Sequence, residues 1–202
     1  IKIATLSISK FTLLSTNDAL VKQIAEGKDE SDFLVKFKSS LKSYILIISI
    51  ILIISVSILL IFSTKLTIYF FGDIEYYNYY LVSVLSIPIL VITSFSYSIL
   101  KAFKGLKYIA LSELIMAVLG LILFIPLVIF YNIYGAIGSI LFMYFLKLFF
   151  NSYFSKTKYL NNYKVTYKDI ILSKINVNHI KELFLFAGIG FIIGGYQLFS
   201  EL

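Results

Sequence analysis

The chain has no cysteine, a single histidine, two prolines and no arginine, so all 18 of its basic residues are lysine. The missing cysteine excludes disulfides, thiolate metal sites and a cysteine nucleophile. His179 lies in a lysine-rich linker and reads as a surface residue. The sequence contains no HExxH, no phosphate-binding loop, no GxSxG and no paired carboxylates within an apolar run, so transport or scaffolding is favoured over catalysis. Charged residues make up only 14% of the chain.

Apolar sequence fills the space these absences leave. Hydrophobic residues account for 59% of the 202 positions and mean hydropathy is +0.92, outside the range of a soluble domain. The apolar residues gather in runs at Tyr44 to Phe62, Asn78 to Leu100, Tyr108 to Phe130 and Gly135 to Phe154, with a fifth from Leu183 to Leu202. A helix of roughly 20 residues, rising ~1.5 Å per residue, crosses a hydrocarbon core of ~30 Å. Each of the first four runs meets that length, which predicts an all-α, polytopic membrane helical bundle. The chain starts at Ile1 and stops inside an apolar run, so it reads as an internal fragment. Its parts are 1–155, the end of one span plus four complete spans; 156–182, a basic cytoplasmic loop; and 183–202, the start of a second bundle.

Lysine placement gives the orientation, because short lysine-rich loops stay cytoplasmic during insertion. Lys101, Lys104 and Lys107 face no acid in their loop, and Lys156, Lys158, Lys164, Lys168, Lys174 and Lys181 oppose only Asp169 and Glu182. Lys36, Lys38 and Lys42 precede the first complete span. The Ser63 to Tyr77 connection holds Lys65 against Asp73 and Glu75, and the Tyr131 to Tyr134 turn is uncharged. Rich and poor loops alternate throughout. The net charge of +7 therefore reads as topology plus attraction to anionic inner-leaflet lipids, with no nucleic-acid surface.

Local signals fill in the rest. Asn17 or Asp18 is expected to cap a short helix ended by Gly27, and Ser31 or Asp32 a helix entering the first full span. Pro88 removes a backbone donor inside the second span and predicts a kink there; Pro126 lies near the outer end of the third. Ser83, Ser86, Thr93 and Tyr97 share one helical face, either a packing seam or a wet cavity wall, with packing the default. Gly190 and Gly194 have a close-packing spacing. In the basic loop, Tyr159, Tyr163, Tyr167, Ile171 and Ile175 recur at near-helical intervals, as in a segment lying on the inner membrane surface or in a solvated linker.

Two ionisable residues interrupt the apolar runs. A charge at mid-membrane costs about 2.5 kcal/mol or more, so Glu113 and Lys147 are expected to face a cavity or a partner. The uncharged turn makes their spans antiparallel and puts both in the cytoplasmic half, within reach of each other through a long lysine side chain. The alternative places both residues near the interface, with Lys147 snorkelling. Lys10 would be a third intramembrane charge if the first residues are half a span.

The order of these features resembles the Wzx-type O-antigen flippases, also called O-antigen translocases, of the polysaccharide exporter branch of the multidrug/oligosaccharidyl-lipid/polysaccharide flippase superfamily. The resemblance rests on DALVKQIAE at Asp18 to Glu26, on Phe71-Gly72-Asp73 followed by Tyr76 to Leu81, on LKAFKG at Leu100 to Gly105, on Tyr134-Gly135-Ala136-Ile137-Gly138, and on a long basic loop before LFLFAGIG. It implies a fragment of a MATE-like two-bundle transporter in the bacterial cytoplasmic membrane, moving an undecaprenyl-pyrophosphate-linked oligosaccharide by alternating access. It implies no cofactor and no enzymatic activity, and partners drawn from the lipid-linked glycan, anionic lipid and polysaccharide-assembly membrane proteins. Lys10 and Lys147 would supply positive charge to the pathway and Glu113 a proton or cation site, with Ser83, Ser86, Thr93 and Tyr97 as further pathway candidates. A cation-coupled multidrug antiporter of the same superfamily is the nearest alternative, and a membrane-embedded glycan polymerase or ligase the alternative from another class.

Overall fold

The computed structural model describes residues 16–27, 32–186 and 188. Lys10, the Gly190 and Gly194 pair and most of the fifth apolar run lie outside the described residues. Among the described residues every regular element is helical: α1 (Thr16–Gly27), α2 (Phe33–Ile61), α3 (Ser63–Phe71), a 3₁₀ turn (Ile74–Tyr76), α4 (Tyr77–Ala102), α5 (Leu106–Ser155) running into a π turn (Lys156–Leu160), α6 (Tyr167–Leu172) and α7 (177–186). Three of these stretches, Phe33–Ile61, Ile74–Ala102 and Leu106–Leu160, are long and apolar enough to cross a membrane.

The third of them is two helices in one. Asn132 has φ 51° and ψ −128°, which no helix tolerates, and it breaks α5 into two limbs. Glu113 on the first limb bonds Lys147 on the second, and Ser112 bonds Asn151. In a straight helix such residues would be about 50 Å apart, so the limbs must fold back as an antiparallel hairpin. Close packing at the turn requires a residue without a Cβ. A Cβ on Gly135 would overlap the backbone carbonyl of Leu127, whereas one on Gly138 would meet nothing within 4 Å.

Prolines do not make the breaks. α4 continues through Pro88 and the first limb of α5 through Pro126. The connection from Ser63 to Tyr77 is also more ordered than a loop, since α3 packs Ser63 and Thr67 inward and ends at Gly72, whose φ of 83° is cheap only for glycine. Tyr80 holds the first turn of α4 to α2 by donating its hydroxyl to the Leu59 carbonyl at 2.8 Å.

α4 is the central helix: 61% of its apolar window is buried, against 17% for α2 and 6% for α5. The exposed isoleucines and leucines of α2 and of the hairpin are the surface expected against lipid rather than water. The packed core lies at the lysine-rich end. There Leu20 and Ile24 of α1, Phe37 and Leu41 of α2, Ile99 of α4, and Leu160, Val165 and Ile170 beyond α5 are all buried together. Phe33, Phe37, Phe103, Tyr159 and Tyr163 stack through it, with centroids 4.9 Å apart for Phe103 and Tyr159.

This end departs from expectation in three respects. Asn17 and Asp18 sit inside α1 and do not cap it: Asn17 accepts the buried Tyr44 hydroxyl, and Asp18 pairs with Lys101 at 2.9 Å. Asp32 precedes α2, but its side chain makes no capping bond; Ser31, the other expected cap, lies outside the described residues. The basic segment after Lys156 is neither a free linker nor wholly a surface strip, because Leu160, Val165, Ile170 and Leu183 reach into the core.

His179 is the clearest correction. Its Nδ1 lies 3.0 Å from Oγ of buried Ser40, and Gln23 donates to the His179 carbonyl at 3.3 Å and to Glu182 at 2.9 Å. The residue pins α7 to α1 and α2 and is not a surface group. Its partial burial lowers the imidazole pKa below 6.5; Glu182 opposes that shift and Lys36 adds to it.

Two expectations follow. Gly135→Ala should lower the thermal midpoint of the purified protein by an amount matching an overpacking cost of about 1–3 kcal/mol, while Gly138→Ala leaves it unchanged. The docked state favours neutral His179, so its stabilisation is complete above pH 6.5 and declines as pH falls through that value, levelling off below the docked pKa. The hydrogen-exchange protection of α7, with each rate referred to the intrinsic rate at the same pH, should fall on acidification over that window, and His179→Ala should remove the dependence.

Candidate functional site

The hairpin builds its own polar site. Glu113, Met116 and Gly120 fall on one face of the first limb, and Tyr144, Lys147 and Asn151 on one face of the second. The turn at Asn132 sets these faces against each other. Gly120 lies so close to Met143 that a Cβ there would push the thioether aside, and this approach lets the Glu113 carboxylate meet the Lys147 ammonium. The Glu113 side chain keeps 39% of its surface exposed and that of Lys147 28%. The pair is therefore partly exposed, neither enclosed in the packed core nor free at a surface.

Beside Glu113 on the lysine-rich side, the Ser112 hydroxyl lies 2.8 Å from both the Ile109 carbonyl and Asn151 Oδ1. It has one hydrogen and cannot donate to both. Reversing the Asn151 amide resolves the conflict, since Nδ2 then donates to Ser112 Oγ while Ser112 donates to Ile109. In either orientation one atom of the fully buried Asn151 amide lacks a protein partner, as does the buried Tyr144 hydroxyl. The face carrying Lys147 thus holds an ion pair flanked on both sides by unsatisfied polar groups.

A second feature is a cleft of about 320 Å³ between α2, α4 and the second limb, lined by Tyr44, Ile48, Phe95, Ser96, Ser152 and Tyr167 among others. Ser96 Oγ and Ser152 Oγ, 3.0 Å apart, join α4 to the second limb beside it.

The expected polar face of α4 does not line this cleft. Ser83, Ser86 and Thr93 are buried, and their hydroxyls donate to the carbonyls of Tyr79, Ser83 and Ile89 in their own helix. Tyr97 is half-buried nearby. These residues pack, as hydroxyls commonly do between membrane helices. Sequence reasoning missed Ser96 and Ser152. Ser96 is three residues beyond Thr93 and continues the same arc, whereas nothing in the sequence marks Ser152 as its partner.

The Glu113–Lys147 contact predicts strong non-additivity. Removing either partner alone leaves the other charge unpaired, at a cost between the ~1 kcal/mol of an exposed pair and the several kcal/mol of a buried one. Glu113→Gln with Lys147→Met should cost less than the sum of the two single changes in a thermal-unfolding cycle; strict additivity would show that the two side chains act separately.

No protein-family model, no curated protein and no solved structure matches the chain, so the site's chemistry stands on its own geometry.

Proposed function

We propose that the chain is the first-bundle part of a flippase that carries undecaprenyl-pyrophosphate-linked oligosaccharide across the bacterial cytoplasmic membrane by alternating access within a MATE-like two-bundle fold. The observation that carries this reading is the half-exposed Glu113–Lys147 pair inside an otherwise apolar hairpin. A sugar pyrophosphate cannot enter hydrocarbon unaided, so its carrier needs a cationic, partly hydrated surface at membrane depth. Lys147 is the described intramembrane cation positioned to offer one, and Glu113 holds its charge in place until an anion competes for it.

The sequence resemblance supports the same reading, through the LKAFKG and YGAIG stretches and the alternation of lysine-rich and lysine-poor connections. Transport is favoured over catalysis because the connections at Ser63 to Tyr77 and Tyr131 to Tyr134 are short and offer little chain on which to build an enzyme site.

The test is complementation. In a bacterium lacking its own O-antigen flippase and supplied with the matching glycan pathway, the gene carrying this chain should restore outer-leaflet glycan. Glu113→Gln and Lys147→Ala, at equal protein level, should each lower it about tenfold, the effect of ~1.4 kcal/mol on a rate-limiting step. Absence of rescue by the wild type would overturn the assignment, and rescue indifferent to both substitutions would remove the pair from the pathway.

A further inference from the structure

α6 sits where the membrane begins. Lys42 donates its ammonium to the Ser173 carbonyl, and the Ser173 hydroxyl, which donates to the Ile170 carbonyl at 2.7 Å, also lies 3.2 Å from the Lys38 carbonyl. Lys38 and Lys42 are within two turns of Tyr44, where the unbroken apolar run of α2 starts. The short helix is thereby held level with the inner edge of the span. Along it and just after it, Tyr167, Ile171, Leu172, Ile175 and Val177 are all exposed, with Leu172 at 72%. A solvated loop has no reason to present five large apolar side chains, whereas an element lying in a membrane interface does.

The charges around α6 are unbalanced. Asp169 is already engaged, accepting the Thr166 backbone N–H at 2.9 Å and the Thr166 hydroxyl at 2.7 Å. These bonds, with the nearby ammonium groups of Lys38 and Lys168, hold its carboxyl below the usual range. Lys38 and Lys168 thus flank one acid whose bonding is met locally, and Lys174 follows in the sequence. Tyr167, beside Lys168, also lines the 320 Å³ cleft, which continues past Tyr44 and Ile48 into the apolar part of the bundle. Ser49 and Ile92 of the same lining are exposed, so the cleft opens sideways between α2 and α4.

We infer that this cleft and the lysines above it form a discrete site for one anionic inner-leaflet phospholipid, with a hydrocarbon chain between α2 and α4 and a phosphate headgroup against Lys38 and Lys168. The volume is at the small end for a ligand pocket and suits part of a single chain rather than a whole amphiphile. The cationic rim selects the headgroup, because basic residues at the inner leaflet attract anionic lipid. This inference needs only the membrane placement of α2, α4 and α5. It holds whatever cargo the Glu113–Lys147 pair serves.

Native mass spectrometry of the purified full chain, exchanged into mixed phosphatidylglycerol and phosphatidylethanolamine, tests it. One phosphatidylglycerol should remain bound per chain, several-fold in preference to phosphatidylethanolamine. Lys38→Gln combined with Lys168→Gln should abolish the preference. Ile92→Trp, at an exposed lining position, should reduce retention of both lipids by filling the cleft, and Ser49→Phe provides a second filling variant at another exposed lining position. Equal retention of the two lipids by the wild type would overturn the site. So would loss in the lysine variant with full retention in both filling variants, since that describes diffuse attraction to a charged surface. Glycan flipping, measured separately, is not the readout, so failure of the lipid site and failure of the transport assignment are distinguishable.

Discussion

The turn at Asn132 sets Lys147 against Glu113, and the rest of the hairpin depends on that reversal. Extended as one helix, the 50 residues of α5 would run about 75 Å, more than twice the thickness of a hydrocarbon core, and would carry two isolated charges through it. Folded back, they give two limbs of spanning length and each charge receives its counter-ion. The geometry that permits this is local and steric: a left-handed residue at Asn132, a missing Cβ at Gly135 beside the Leu127 carbonyl, and another at Gly120 beside Met143. The ion pair does not fold the hairpin. It is the consequence of a turn that brings the two faces into register.

Stability is distributed unevenly along the membrane normal. Bilayer hydrocarbon is as apolar as the side chains it meets, so the isoleucine-rich faces of α2 and the hairpin gain little by packing on other helices and are left outward. Burial concentrates instead at the lysine-rich end, where water is near and the hydrophobic effect has its full strength. Polar ties that would be minor elsewhere act there as registers: Tyr44 to Asn17, Lys101 to Asp18, Ser40 to His179 and Lys42 to Ser173 each join segments far apart in sequence. Each is modest alone. Together they hold the segment after Lys156 on the bundle and fix α6 at the membrane edge.

The helical class and the approximate spans were legible because a bilayer enforces them, demanding long apolar runs and sorting lysine to one side. The meeting of Glu113 and Lys147 was legible for a related reason: two charges in hydrocarbon and a short uncharged turn leave few arrangements. What was not legible lies in long-range contact. Hydrophobic periodicity could not show that α3 is a helix docked on α4, because its nine residues carry too little pattern. Nor could it show that His179 reaches Ser40, which is 139 residues away in sequence. Ser83, Ser86 and Thr93 illustrate a different limit. A hydroxyl on a buried seam and one on a wet wall have the same spacing, and only their burial in the folded bundle tells them apart.

The half-exposure of the ion pair bears on the proposed mechanism. A carrier that must take up and release an anion needs a cation that can change partner. Were the Glu113–Lys147 pair fully buried, opening it would leave two uncompensated charges at several kcal/mol, and an incoming phosphate would have to supply that before binding at all. At 39% and 28% side-chain exposure neither charge is enclosed by protein, so separating them costs less than opening a fully buried pair. The Asn151 amide and Tyr144 hydroxyl on the same face offer further polar partners to water or a ligand that enters between the limbs. In the proposed cycle the closed hairpin is therefore the resting state of a site held neutral by its own carboxylate. In that cycle cargo binding trades one anion for another at Lys147 and releases the Glu113 carboxylate from its counter-ion.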